Sequence, residues 1–172
     1  MMVPDFQKIP FELQNRRQWV LWRVIKRDGK ETKIPWSVYD KAASSTDPDT
    51  WHEFECVVMR YREGYHAGIG FVFAVGDGYA GIDLDACRNA ETGAIARWAQ
   101  QWIDKSNDCY CEISPSETGV KIWIRSDLTL DRGRNIKVQE EGTTPAKKPG
   151  IEIYTHGRFF AVTGRKIKDF AA

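Results

Sequence analysis

The chain has 172 residues, 42% of them hydrophobic and 28% charged, and a formal net charge of +1. This composition fits one globular domain with a real core, and the near-neutral total is uninformative about nucleic acid because a local basic groove can lie within it. No apolar run fits a secretory signal or a membrane span, and no C-x-x-C pair indicates a zinc site. We therefore expect a cytoplasmic protein with four free thiols.

The first third of the chain predicts a hairpin followed by a helix. Residues 18–25 and 31–36 are rich in β-branched and aromatic side chains and flank a turn. Thr50 and Glu53 have the spacing of a capping box, which predicts the start of a helix that Gly64 ends.

Residues 70–85 predict two strands joined by a tight turn at 76–78. The second strand ends on Asp83 and Asp85, which share one face because side chains alternate along a strand. Two adjacent carboxylates repel each other, and a divalent cation such as Mg²⁺ or Mn²⁺ relieves that repulsion. An exposed acidic strand end is the alternative interpretation of the D-x-D pattern.

The second half of the chain predicts one more helix, at residues 91–104, and four more strands. The strands are 110–113, 120–125, 151–154 and 158–163, the last two as a hairpin, and 132–149 is an irregular excursion. The order of elements predicts an α+β domain with a largely antiparallel sheet, helices on one face and charged residues on the other.

Three separated strands repeat one pattern, with apolar residues on one face and a reactive group on the other. Asp83 and Asp85 lie on the first, Lys121 on the second and Glu152 on the third. A single alternation is routine in a half-solvated sheet. Three acids and a lysine that converge on one face indicate two-metal phosphoryl transfer, in which paired cations hold the attacking and leaving oxygens.

Three segments resemble the motifs of the archaeo-eukaryotic primase superfamily. They are residues 81–85 (GIDLD), 114–121 (SPSETGVK) and 150–164, which contains GIEIY and RFFAVTG. Residues 19–22, 33–35 and 50–51 also resemble the start of the primase-polymerase domains found at the N-terminus of phage and plasmid replication proteins. The resemblance extends over nearly the whole chain.

The resemblance implies one catalytic domain over residues 1–172. It would consist of a small N-terminal α/β unit at 1–66 and, at 67–172, a unit with a mainly antiparallel sheet like that of an RNA-recognition motif. Asp83, Asp85 and Glu152 would be the ligands of two Mg²⁺ or Mn²⁺ ions. The substrates would be nucleoside triphosphates and a single-stranded DNA template.

The segment from Ser114 to Lys121 would hold the triphosphate of the incoming nucleotide, with Ser114 and Ser116 as hydrogen-bond donors. Both serines are equally consistent with a turn beside a proline. Lys33 would contact a phosphate or remain solvated. Arg158 would contact template or nucleotide phosphate, or pair with an acid.

This sequence departs from the family pattern at two positions. Many members have Gly where Glu117 stands and His where Lys121 stands. A lysine can still meet a phosphate as a point charge. A carboxylate beside a triphosphate repels it unless Glu117 points away or joins the metal shell.

Two other classes of function remain open on the sequence alone. A metal-dependent nuclease or replication-initiator nickase uses carboxylates too, but no two of the three histidines are two positions apart, as a rolling-circle nickase requires. A non-catalytic single-strand-binding domain is the second alternative. The chain has no G-x-x-x-x-G-K-[ST] motif, so we expect any helicase domain to lie elsewhere in a longer protein.

Overall fold

The computed structural model describes residues 3–139 and 148–171, and it has a mixed α+β fold with two antiparallel sheets. The helices are α1 (Phe11–Gln14), α2 (Phe54–Arg62) and α3 (Arg97–Lys105). The strands are β1 (Trp19–Arg27), β2 (Lys30–Trp36), β3 (Gly68–Phe73), β4 (Tyr79–Asp85), β5 (Cys109–Ile113), β6 (Val120–Arg125), β7 (Arg134–Lys137), β8 (Gly150–Tyr154), β9 (Arg158–Val162) and β10 (Lys166–Lys168). The predicted α+β class is confirmed.

One sheet has four strands in the order β2-β1-β3-β9, and the other has six in the order β10-β5-β6-β4-β8-β7. Strands β3 and β9 come from the second predicted unit, yet they complete the sheet that β1 and β2 begin. The likeness to an RNA-recognition motif and the division at residue 66 stay predictions.

Two predicted hairpins are wrong. Strands β3 and β4 were expected to pair, as were β8 and β9, but in each case the chain crosses from one sheet to the other. Strand β3 has β1 and β9 as its neighbours, so neither of its edges is available to β4. At the first crossover the Asp77 carboxylate accepts the backbone N–H groups of Ala74 and Tyr79, at 2.9 and 2.8 Å.

The helices begin later than the sequence predicts. Helix α2 starts at Phe54, with Glu53 as an N-cap that makes no side-chain hydrogen bond. The predicted capping box does not form, because Thr50 lies in a separate 3₁₀ turn and its hydroxyl donates to Asp47 O. Helix α3 starts at Arg97 instead of residue 91, since the Asn89 side chain accepts backbone N–H groups from the predicted first turn. Strand β7 also lies in the predicted excursion, of which residues 140–147 fall outside the described residues.

Two of the three apolar clusters among the described residues hold the six-stranded sheet against its neighbours. The first joins α2 and the four-stranded sheet to aromatic residues of the six-stranded sheet, and the second lies between the six-stranded sheet and α3. Gly81 permits the sheets to meet closely, because a Cβ there would lie 2.5 Å from the Phe73 ring and 2.8 Å from the Phe160 ring. The face that was predicted to be open is therefore partly covered by the other sheet, and a cavity remains where the two sheets separate.

Candidate active site

A row of polar residues crosses the six-stranded sheet on the face that looks toward the other sheet. The register aligns one residue from each of five neighbouring strands, and directly paired residues share a face. In the order β5, β6, β4, β8 and β7, they are Glu112, Lys121, Asp83, Glu152 and Asn135. The alternation that predicted one face for Asp83, Lys121 and Glu152 therefore places them side by side.

Asp83 and Lys121 form an ion pair at the centre of the row. The Lys121 Nζ donates to Asp83 Oδ2 at 2.6 Å, and the two side chains are 9% and 18% exposed. The same ammonium lies 4.3 Å from the centre of the Phe160 ring, which belongs to the opposite sheet. Asp83 Oδ1 is buried and has no hydrogen-bond partner among the described residues. The pair thus leaves one carboxylate oxygen unsatisfied, which is costly unless a further ligand binds it.

Glu152 is held by its neighbours on the sheet. Tyr154 donates its hydroxyl to one carboxylate oxygen, and Asn135 Nδ2 donates to the other at 3.4 Å. Arg158 donates to the same Tyr154 hydroxyl at 3.0 Å, and its guanidinium lies 4.8 Å from the centre of the Tyr154 ring. Burial raises the pKa of Tyr154, so the phenol remains a donor to Glu152. Arg158 therefore connects to Glu152 through Tyr154.

The loop between β5 and β6 carries a chain of hydroxyl groups. Ser116 Oγ lies 3.0 Å from both Ser114 Oγ and Thr118 Oγ1, and Ser114 accepts the Gly119 N–H at 3.1 Å. A Cβ at Gly119 would lie 2.8 Å from the backbone oxygen of Leu84, so the loop approaches the end of β4 closely. This approach places the hydroxyl groups beside the strand that carries the paired aspartates.

Glu117 is turned away from this loop's hydroxyl groups by an ion pair with Arg165. Its backbone has a φ of 63°, in the left-handed region that glycine adopts at little cost. That conformation gives a physical reason for the glycine that the family this chain resembles has at this position. Glu117 is also absent from the cavity lining, so its carboxylate does not stand where the resemblance places a triphosphate.

All eight predicted site residues line a single cavity of about 390 Å³. The six-stranded sheet and its loop contribute Asp83, Asp85, Ser114, Ser116, Lys121 and Glu152. The opposite wall contributes Lys33 from β2 and Arg158 from β9, and Lys33 Nζ lies 5.1 Å from the centre of the Trp22 ring. The structure brings these residues together, while their catalytic and binding roles stay predictions.

The acidic side chains fit a Mg²⁺ or Mn²⁺ site in which substrate phosphates supply some of the metal ligands. Within residues 3–139 and 148–171, no group of three or more His, Cys, Asp or Glu residues is arranged to hold a metal ion by itself. Mg²⁺ usually keeps several waters and binds one or two carboxylates together with substrate phosphates, so a complete cage is not required. Asp83 Oδ1 is buried, has no hydrogen-bond partner among the described residues and lies in a cavity shared with Asp85 and Glu152, which fits this mode.

Glu112 is a polar residue of the row to which the sequence assigned no role. Its carboxylate is fully buried and accepts the Tyr110 hydroxyl at 2.7 Å and the N–H groups of Thr163 and Gly164 at 2.8 Å each. These bonds join β5 to the end of β9, which belongs to the other sheet. Burial raises the pKa of Glu112 to about 7, although its donors and the nearby Lys121 favour the charged form. The sequence did contain a signal for this contact: Glu112 lies two positions after Tyr110 on a predicted strand, so the two side chains share a face.

We expect Glu112 to lower the free energy of unfolding as pH rises from about 4.5 to about 7. The folded carboxyl group holds its proton over this range and the unfolded one does not, so the contribution is complete below the range and lost above it. The shift corresponds to about 3 kcal/mol at most. Urea denaturation at several pH values measures the slope, and Glu112→Gln should flatten it. An unchanged slope in that variant would contradict the assignment.

The fold and cavity define a mixed α+β domain with carboxylates, lysines and hydroxyl groups facing one another between two antiparallel sheets. The chain is 31% identical over 156 residues to a protein of Nitratiruptor phage NrS-1 named DNA primase-polymerase. The match covers 88% of this chain and 20% of the relative, so the chain spans about one fifth of the relative's length. No protein-family model matches the chain.

No helix in the described part of the chain is long and apolar enough to cross a membrane.

Proposed function

We propose that the chain is a primase-polymerase catalytic domain of the archaeo-eukaryotic primase superfamily. It would join nucleotides on a single-stranded DNA template, starting a primer, extending one, or both. The observation that carries the proposal is the ion-paired row in which Asp83, Lys121 and Glu152 stand side by side in one cavity. The similarity to a phage protein named DNA primase-polymerase supports the same function.

The acids would hold two Mg²⁺ or Mn²⁺ ions, with Asp83, Asp85 and Glu152 as the protein ligands. Bound metal ions would supply Lewis-acid stabilisation of the charge that develops on the transferred phosphoryl group. Tyr154 and Asn135 fix the orientation of the Glu152 carboxylate through their hydrogen bonds. Ordering this side chain before substrate arrives reduces the entropy lost when the site becomes occupied.

The remaining cavity residues would bind the incoming nucleoside triphosphate. Ser114 and Ser116 would donate hydroxyl hydrogen bonds to the phosphates, and Lys121 would supply a positive charge next to Asp83. Lys33 and Arg158, which line the cavity on the four-stranded sheet, would contact the phosphates from the opposite wall. The triphosphate would therefore lie between Lys121 on one wall of the cavity and Lys33 and Arg158 on the other.

Partners and location follow from the same proposal. The template would be held by backbone electrostatics and stacking in preference to base-specific contacts. Because the phage relative is about five times longer than the match, a helicase domain would belong to other parts of a longer protein. We place the protein in the cytoplasm, where DNA and nucleoside triphosphates are available.

Nucleotide incorporation on primed and unprimed single-stranded templates tests the proposal. With Mg²⁺ or Mn²⁺ and nucleoside triphosphates, we expect extension of a labelled primer, or new primers on the bare template. Cleavage of the template in place of synthesis would favour the nuclease alternative. Strand binding with neither reaction would favour the non-catalytic binding domain.

A further inference from the structure

The edge strand β7 brings an additional cation to the candidate active site. Lys137 pairs with Gly150 of β8, which in turn pairs with Asp85 of β4. Directly paired residues of an antiparallel sheet share a face, so Lys137 lies on the face that carries Asp85. Two positions earlier on β7, Asn135 donates to Glu152, which confirms the direction of this face.

On this face Asp85 and Lys137 are separated by a strip of backbone, here called the lane, that no side chain of the described residues fills. Gly150 lies between them, and a Cβ added there would have no heavy atom of the described residues within 4 Å. Two strand spacings amount to roughly 9–10 Å, which leaves room for a phosphodiester group over the glycine. Among the described residues, Lys137 is exposed and β7 is an edge strand of its sheet, so no described residue blocks a polynucleotide from reaching the lane at this edge.

The lane lies on the opposite side of the acids from the hydroxyl-bearing loop. That loop joins β5 and β6, whereas β8 and β7 follow β4 on the other side. In phosphoryl transfer the attacking and leaving oxygens are roughly in line, so they approach the transferred group from opposite sides. If the loop holds the leaving pyrophosphate, the strand that carries the attacking hydroxyl must come from the side of β7.

We propose that Lys137 and the Gly150 lane bind a backbone phosphate of the primer strand, close to its 3′ end. This inference rests on the proposed function, because it uses the direction of nucleotide transfer. Lys137 binds the phosphate as a point charge, and Gly150 supplies the space that the sugar-phosphate backbone occupies. Lys121 and the serine loop contact the incoming nucleotide, so the two lysines serve different substrates.

Three variants of the full chain test this assignment. Lys137→Ala removes the charge, and Gly150→Val fills the lane with a β-branched side chain at a residue whose φ is not positive. Lys105→Ala is the matched control, since this exposed lysine lies on α3, against the other face of the sheet. Thermal unfolding should show that Gly150→Val is at least as stable as the unchanged chain, because valine favours the extended backbone of a strand more than glycine does.

Fluorescence anisotropy then compares a labelled primer annealed to an overhanging template with the same template strand alone, at several salt concentrations. Lys137→Ala should weaken primer-template binding by about five- to tenfold at low salt and lower the salt slope by about 0.7–0.9. Gly150→Val should weaken it too, while Lys105→Ala changes neither quantity. Nucleoside triphosphate affinity and binding of the unprimed strand should be the same in all variants.

Two results would overturn the inference. One is wild-type primer-template affinity in both Lys137→Ala and Gly150→Val, and the other is a loss confined to nucleotide binding or to the unprimed strand. Measuring nucleotide incorporation by the unchanged chain distinguishes failure of this inference from failure of the proposed function. A chain that incorporates nucleotides while the variants bind primer normally refutes only the inference, whereas a chain that incorporates none refutes the proposed function itself.

Discussion

Asp83→Ala and Asp85→Ala should each abolish nucleotide incorporation. If both carboxylates are metal ligands, each variant loses charge stabilisation worth several kcal/mol, and the rate should fall about a thousandfold or more. The two side chains line the cavity from one strand end, and Asp83 Oδ1 has no partner in the described structure. Single-turnover primer extension at saturating Mn²⁺ measures the loss. If either variant extends primers at the wild-type rate, that aspartate is not an essential metal ligand.

The stability of these variants separates chemistry from folding. A repelling pair of acids predicts that removing one stabilises the protein, but the Lys121 ion pair reverses this expectation for Asp83. Asp83→Ala leaves a nearly buried ammonium without its partner, which should cost about 1–3 kcal/mol. Asp83→Asn keeps a hydrogen-bond acceptor for Lys121 and should cost less, yet it should be equally inactive. If neither variant has a melting temperature below that of the unchanged chain, the ion pair does not stabilise the fold.

Alternation along single strands was enough to predict much of the candidate site. Ile82 and Leu84 are buried among apolar residues beside α3, so Asp83 and Asp85 must point to the other face. The same rule orients Lys121 between Val120 and Ile122. It depends only on residues next to each other in sequence, which is why it succeeds without knowledge of strand order. In the structure these side chains form one row, because β4 lies between β6 and β8.

Strand pairing could not be predicted in the same way. The sequence favours short hairpins because a tight turn closes little chain, yet β3 pairs with β9 and β4 with β6. These partners are selected by the aromatic core, where Phe73, Trp123 and Phe160 contact one another across the two sheets. No local turn signal carries that information. The cavity between two sheets was consequently predicted as an open sheet face.

The role of Glu117 also depended on a distant partner. Its carboxylate was expected to conflict with a triphosphate unless it pointed away, and the sequence does not show which arrangement holds. In the structure Arg165, which follows β9, pairs with it, and the Glu117 backbone oxygen accepts a hydrogen bond from Arg88 at 2.8 Å. The loop is therefore held from two sides by residues far from it in sequence. The departure from glycine is compatible with the proposed nucleotide site.

Lys121→Ala should weaken nucleoside triphosphate binding by roughly one to two orders of magnitude. Lys121 has a nearly buried ammonium beside the hydroxyl-bearing loop, held between Asp83 and the Phe160 ring. If Asp83 binds a metal ion, this ammonium is free to meet the triphosphate that arrives with it. A charged hydrogen bond of this kind is worth about 1.5–3 kcal/mol, and each 1.4 kcal/mol is tenfold in affinity.

Companion variants decide whether charge or packing causes the loss. Lys121→Met keeps most of the stem against Phe160 and removes only the ammonium, so its nucleotide affinity should fall as far as that of Lys121→Ala. Lys121→His should recover part of the affinity, because it restores the group that many members of the family this chain resembles carry. Titration calorimetry with Mg²⁺ and a nucleoside triphosphate gives these affinities, and anisotropy on the same samples gives template binding, which should not change. If a Lys121 variant has normal nucleotide affinity but loses template binding, Lys121 contacts the template strand. The positive charge that binds the triphosphate must then come from Lys33 or Arg158 on the opposite wall.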